Sequence, residues 1–307
     1  MIRMPGHSHA GPLPKLTTEQ SELAGALQHD VQVLAGDIGE RNTRHYGNLR
    51  EASGFIERSF EEAGYDATRQ VYELQGREYD NLEAEVSARD GDSGIVVVGA
   101  HYDSAIGSPG ANDNGSGVAA LLAIARRLQG SRPRHTLRFV AFTNEEMPHF
   151  RQGTMGSLYY ARRCKERGER VVAMMSLETM GYYSDRRGSQ RYPFPIGLVY
   201  PSRGDFIGFV GNVASRELVR DAVGSFRRHV RFPSEGAALP SWVPGVGWSD
   251  HASFWDQDYP ALMVTDTAPF RYPHYHAPGD TPDKVDYERL ARVVGGIEAV
   301  VRDLAGT

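Results

Sequence analysis

The sequence predicts an α/β fold: a mixed, mostly parallel central sheet sandwiched by helices. Two observations lead there. GIVVVGA (94–100), TLRFVAFT (136–143), VVAMMSLE (171–178) and PALMVTD (260–266) are short and almost wholly apolar, as strands buried on both faces of a sheet must be. Segments of helical periodicity alternate with them, the pattern of a sheet covered by helices on both sides. At 307 residues the chain is long enough to bury a sizeable core in one unit.

In chain order, residues 1–16 carry no periodic pattern and are expected to be a disordered tail, with His7 and His9 solvated in it. A single domain is expected over 17–307. TTEQ (17–20) has the form of a capping box, followed by Leu23, Leu27, Val31 and Leu34 at helical spacing. A second helix is predicted over 48–65, with Gly64 as its stop. ATRQVYEL and NLEAEV are β-prone. GVAALLAIARRLQG, GSLYYARRCKERG and VDYERLARVVGGIEAVV read as helices between or after the buried strands. Residues 184–248 break the rhythm with proline- and glycine-rich pieces around one helical stretch, and are expected to form an insertion or lid.

The formal charge of -5 is interspersed rather than striped, so nucleic acid is not an expected partner. No apolar run approaches the roughly 20 residues of a membrane span. The N-terminus has no apolar signal region, so a cytoplasmic protein is expected, or a secreted or periplasmic one if a leader has been removed. The oligomeric state is left open. One cysteine, Cys164, permits neither an intrachain disulfide nor a cysteine-built metal site, so any metal must be held by histidine and carboxylate.

Such residues gather at the strand ends. His101 follows one buried strand, Glu145 and Glu146 follow another, and Glu178 closes a third. Asp103 and Asp113 lie in the glycine-rich loop after His101, and YPHYHAPGDT adds His274, His276 and Asp280. In open α/β sheets ligands bind outside the carboxyl ends of the strands, so these groups can meet in one crevice. Imidazole and carboxylate without sulfur suit zinc, manganese or cobalt better than calcium. The excess of carboxylate suggests two ions, with one acid of the Glu145–Glu146 pair as ligand and the other as general base. Singly, each feature has a plainer reading: the aspartates as turn residues, the glutamates as a solvated helix start, Asp250 and His251 as a helix cap. His274 competes with His276, because an extended segment would point both to one side.

The motifs HYDS, GANDNGSG, NEE, SLE, SDH and HAPGDT occur here in an order and spacing that resemble the co-catalytic zinc exopeptidases (peptidase family M28), which include bacterial leucyl aminopeptidases and glutamate carboxypeptidase. The resemblance covers about residues 80–305 and implies a zinc aminopeptidase-like three-layer fold. It implies that Asp113 bridges two Zn2+ ions, one completed by His101 and Glu178 and the other by Glu146 and His276. Glu145 would be the general base, and Asp103 the carboxylate orienting the His101 ring. It implies a cis bond between Asp113 and Asn114, and His276 rather than His274 as ligand. Many relatives have aspartate where this chain has Glu178. The expected substrate is a peptide with a free N-terminus. The alternatives are a glutaminyl-cyclase-like acyltransferase with one zinc, a carboxypeptidase, or a non-catalytic member of the same fold.

Overall fold

The computed structural model describes residues 3–91 and 94–307. Among them eight strands form one sheet: β1 (Thr68–Leu74), β2 (Arg77–Val86), β3 (Ile95–His101), β4 (Thr136–Phe142), β5 (Val171–Glu178), β6 (Ile207–Asn212), β7 (Ser234–Leu239) and β8 (Ala261–Thr265). Their spatial order is β1-β2-β4-β3-β5-β8-β6-β7. β3 runs parallel to β4 and β5, β5 to β8, and β6 to β7, while the pairs β1–β2, β2–β4 and β6–β8 are antiparallel. The expected mixed, mostly parallel sheet is the one the chain forms.

The helices are α1 (Thr18–Val31), α2 (Tyr46–Glu62), α3 (Gly117–Leu128), α4 (Gly156–Glu166), α5 (Arg216–His229), α6 (His251–Trp255), α7 (Ala268–Arg271) and α8 (Tyr287–Ala305). The apolar run of β3 serves both sides of the sheet, because successive side chains of a strand point to opposite faces. Val96, Val98 and Ala100 join the larger core under α1, α2, α3, α5 and α8. Ile95 and Val97 join the smaller one with Phe142, Tyr160 and Phe254, under α4 and α6. The capping box forms at α1: Thr17 Oγ1 accepts from the Gln20 amide, and Gln20 Oε1 accepts from that of Thr17. No helix among the described residues is long and apolar enough to cross a membrane.

The stretch 184–248, expected as an insertion or lid, carries β6, α5 and β7, which extend the sheet beyond β8. SEGAAL holds no β-branched or aromatic residue and IGFVGN has glycine at two of its six positions, so neither reads plainly as a strand. Their glycines serve packing instead. A Cβ on Gly236 would stand 2.8 Å from Val223 of α5, and one on Gly211 would stand 2.6 Å from Val219. The first two residues of the N-terminal segment, expected as a disordered tail, lie outside those described, and Met4 packs against the larger core. The carbonyls of Pro5 and Pro14 accept from Arg227 and Arg292, and Ser8 Oγ accepts from the Ser234 amide of edge strand β7. Main-chain and hydroxyl contacts of this kind leave no hydrophobic period to detect.

The loop after β3 is held by Arg41. This wholly buried guanidinium donates to the carbonyls of Leu34, Gly39, Tyr102, Pro109 and Gly110, at 2.6–3.3 Å. Removing it strands five carbonyl acceptors, those of Leu34, Tyr102 and Gly110 in buried bonds. Arg41→Ala is therefore expected to lower the unfolding free energy in urea by about 3 kcal/mol or more. An unchanged unfolding midpoint would show that the loop does not depend on it.

Candidate metal centre

The parallel strands β3, β4, β5 and β8 all end on the same edge of the sheet, and the polar residues gather there. His101 is the last residue of β3 and Glu178 the last of β5. Glu145 and Glu146 follow β4 after Asn144, whose left-handed backbone (φ +57°) turns the chain sharply. Asp103 accepts both of their amides, Glu145 at Oδ1 and Glu146 at Oδ2, each at 3.0 Å. Asp113 stands on the loop between β3 and α3, in a segment clamped by other side chains. Asp280 accepts the amides of Asn112 and Asp113 at 2.8 and 3.0 Å. Asn114 donates to the Leu177 carbonyl and accepts from the amides of Gly117 and Thr179. The Asp113–Asn114 bond is cis, as the resemblance implies.

The result is two groups that share one residue. His101 Nε2 lies 3.3 Å from Asp113 Oδ1 and 3.2 Å from Glu178 Oε2. His276 Nε2 lies 3.0 Å from Asp113 Oδ2 and 3.1 Å from Glu146 Oε1. Within each group the candidate ligand atoms all fall within 4.8 Å of one another. His101 Nε2, both Asp113 oxygens and Glu146 Oε1 are buried and have no hydrogen-bond partner among the described residues. Ligands held 2.0–2.2 Å from a tetrahedral centre stand about 3.3–3.6 Å apart, close to the 3.0–3.3 Å found. Buried lone pairs that face one another at this spacing fit a first-row divalent cation on each side of Asp113.

The charges are arranged to match. Burial would lower the His276 imidazole, but its contacts with Asp113 and Glu146 outweigh this and push it up to about 10. Burial opposes a proton on His101 too, yet the negative charges of Glu178 and Glu145 and the contacts with Asp103 and Asp113 hold it well above the usual range. Burial would raise Asp113, and its two imidazole neighbours instead hold it below the usual carboxylate range. Burial, with Asp113 alongside, raises Glu146 to about 7. Glu145 belongs to neither group. Its Oε2 lies 3.9 Å from His101 Nε2, and its carboxyl is lifted well above the ordinary range by burial, against the pull of His101.

All five expected ligands, His101, Asp113, Glu146, Glu178 and His276, converge here with Glu145 beside them. Asp103 differs in emphasis: its carboxylate holds the Glu145–Glu146 turn, and its nearest atom to His101 Nδ1 is its carbonyl oxygen, at 3.2 Å against 3.4 Å for Oδ1. The extended segment that would align His274 with His276 does not exist. Residues 273–279 are turns and His276 has φ +53°, so His274 packs beside Tyr272 and Gly279, in neither group. Asp250 is buried and makes no side-chain cap for α6; His251 Nε2 donates to the Val246 carbonyl at 2.8 Å and the ring packs edge-on to Trp255. Three supporting groups were not singled out as such. Arg41 carries no signal in its own segment, the clamp of Asp280 acts across 167 residues of chain, and Ser249, within the SDH motif, donates to Glu178 Oε2 at 2.7 Å.

The sequence model of peptidase family M28 matches residues 81–301. Uncharacterized protein YfbL of Escherichia coli (strain K12) is 36% identical over 280 residues, covering 88% of this chain and 85% of that protein. Further relatives, aminopeptidases and zinc metalloproteases by name, are 26–29% identical, and this chain spans 40–54% of their length. Among solved structures, the zinc aminopeptidase BSAP of Bacillus subtilis is similar with TM-score 0.73 over 92% of this chain and 95% of that one, at 16% identity. Fimbriiglobus ruber glutaminyl cyclase is similar with TM-score 0.68 over 95% and 99%, at 19% identity. At such identities the two likenesses concern the fold, which an aminopeptidase and a cyclase share.

Because the surrounding carboxylates favour a proton on both imidazoles in the metal-free protein, a cation must compete with it, and affinity is expected to rise with pH. Chelator competition is expected to give at least about tenfold tighter zinc binding at about pH 8 than at about pH 6. An affinity independent of pH would contradict the protonation assigned to His101 and His276.

Proposed function

The chain belongs to peptidase family M28, and from that premise we propose that it is a dizinc aminopeptidase, removing the N-terminal residue of peptides. The observation that carries this reading is the two-sided placement of the buried Asp113, whose oxygens face separate imidazoles, 3.3 Å from His101 and 3.0 Å from His276. His101, Asp113 and Glu178 would hold one zinc ion and Asp113, Glu146 and His276 the other, with manganese or cobalt as possible substitutes. Bound there, zinc supplies Lewis acidity, lowering the pKa of a water and polarising a carbonyl at neutral pH.

The protein's own groups do the rest. Asp103 fixes the amides of Glu145 and Glu146, so that the two side chains part, Glu146 toward His276 and Glu145 toward His101. Glu145 is thereby the spare carboxylate. It takes a proton from the attacking water as the new C–O bond forms, then gives that proton to the amine as the C–N bond breaks. A carboxyl raised by burial suits this exchange better than an ordinary glutamate, since its basicity lies closer to the working pH. A cleft of about 640 Å³ lined by Glu145, Glu146, Met147, Phe150, Trp248 and Tyr275 leads to these groups. A glutaminyl-cyclase-like reaction would need one zinc; the second group around Asp113 Oδ2, Glu146 and His276 favours hydrolysis.

Glu145→Gln is expected to keep its metal content and lose about 10² to 10⁴-fold in kcat on a free peptide. Near wild-type turnover in that variant would place the base elsewhere. With the wild-type protein, N-acetylation of the peptide should abolish cleavage. Equal rates on the free and blocked peptides would exclude an aminopeptidase, and cyclisation of N-terminal glutamine without hydrolysis would favour the cyclase.

A further inference from the structure

Beside the metal centre lies a second cavity, of about 810 Å³, which shares Glu178, Trp248 and Tyr275 with the first. Its floor is the face of the sheet where β5, β8, β6 and β7 run side by side. The register aligns four residues across these strands: Glu178 pairs with Thr265, Thr265 with Gly208, and Gly208 with Glu235. Directly paired residues point to the same face of a sheet. Glu178 and Glu235 therefore stand on one face at opposite ends of the row, three strand spacings or about 14 Å apart. Gly208, between them, has no side chain to interrupt the trough.

The walls are aromatic, with Tyr192, Tyr200 and Phe206 on one side and Trp248 and Phe270 on another. Among the residues lining this cavity only Glu178 and Glu235 are charged, and none is a cation. Glu235 is half-buried and has no hydrogen bond or ion pair of its own among the described residues. The nearby Arg227 donates instead to Ser234 and to the carbonyls of Pro5 and Gly6. Arg227 is thus near enough to attract the Glu235 carboxylate but makes no hydrogen bond or ion pair with it, and such an acid, at the end of an apolar trough, is complementary to a cation on an aliphatic stem.

We propose that this trough receives the side chain of the substrate's N-terminal residue and selects lysine or arginine, with Glu235 pairing the cationic end. The assignment rests on the aminopeptidase reading. The lengths agree with it. A lysine or arginine side chain reaches roughly 6–7 Å from its Cα and a hydrogen bond adds about 3 Å, leaving about 4–5 Å for the backbone to sit over the metal ligands. A leucine would fill only the near half and leave Glu235 unpaired. The aromatic walls would pack the methylene stem and favour the charge they surround.

The test compares kcat/KM on p-nitroanilides of lysine with norleucine and of arginine with citrulline, pairs that differ in charge at similar length. The zinc-loaded protein should prefer the charged member of each pair by at least about tenfold, chiefly through KM. Glu235→Gln should bring both ratios to about one, and Glu235→Asp should restore part of the preference. Glu217→Gln, on the exposed surface of α5, should change neither ratio. Ratios near one in the wild type, or ratios that survive Glu235→Gln, would overturn the assignment while leaving the aminopeptidase reading in place. Calorimetric binding of free lysine and norleucine gives a second readout. If no anilide is cleaved, yet lysine binds more tightly than norleucine and loses that advantage in Glu235→Gln, the pocket assignment stands and the aminopeptidase reading falls. Equal binding of the two amino acids would overturn the pocket assignment by itself.

Discussion

Concentrated negative charge is the constraint around which this molecule is arranged. Asp103, Asp113, Glu145, Glu146, Glu178, Asp250, Asp266 and Asp280 are all buried behind one edge of a single sheet. Burying even one carboxylate without a partner is costly, and like charges side by side cost more. Arg41 and Arg271 lie behind this cluster, and both direct their guanidinium groups chiefly at backbone carbonyls and a glutamine. They hold the loops in place. Neither reaches the front, where Asp113 Oδ1 and Oδ2 face His101 and His276 with no hydrogen bond among the described residues. The remaining imbalance is what two divalent cations would neutralise.

The scaffold achieves this by dividing labour among the acids. Asp103 and Asp280 spend their oxygens on main-chain amides, and so position neighbouring residues rather than compete for a cation. Asn114 ties the loop bearing Asp113 to the end of β5, which bears Glu178, so the two strand-end elements cannot drift apart. Left-handed backbone at Asn144, Thr179 and His276 places these turns where ordinary extended chain would overshoot. Ser249 extends the support to Glu178, and its own hydroxyl lies 3.0 Å from that of Ser176. Glu145 has neither an amide to hold nor a place in either ligand group, the freedom that the proposed proton transfer requires.

Much of this was legible in the chain because burial on both faces demands unbroken apolar runs, and those runs end at His101, Phe142, Glu178 and Thr265. The convergence of acids and imidazoles at one sheet edge follows from parallel topology alone. What each acid does was less legible. The separate jobs of Glu145 and Glu146, and the choice of His276 over His274, came from motif resemblance, since local spacing treats each pair alike. β6 and β7 escaped notice because their glycines and alanines serve contact with α5 rather than β propensity. The anchoring of the N-terminal segment was invisible for a related reason, as it rests largely on carbonyls and one hydroxyl. Arg41 illustrates the general limit: a residue whose partners are five backbone oxygens has no sequence partner to point to it.

The account stands or falls on Asp113 serving both groups at once. Anomalous scattering at the zinc edge, from crystals of the protein grown with zinc, tests this directly. Two peaks are predicted about 3.5–4 Å apart, with the Asp113 carboxylate between them. One should lie against His101 and Glu178, and the other against Glu146 and His276. A single fully occupied peak, touching only one oxygen of Asp113, would contradict the account.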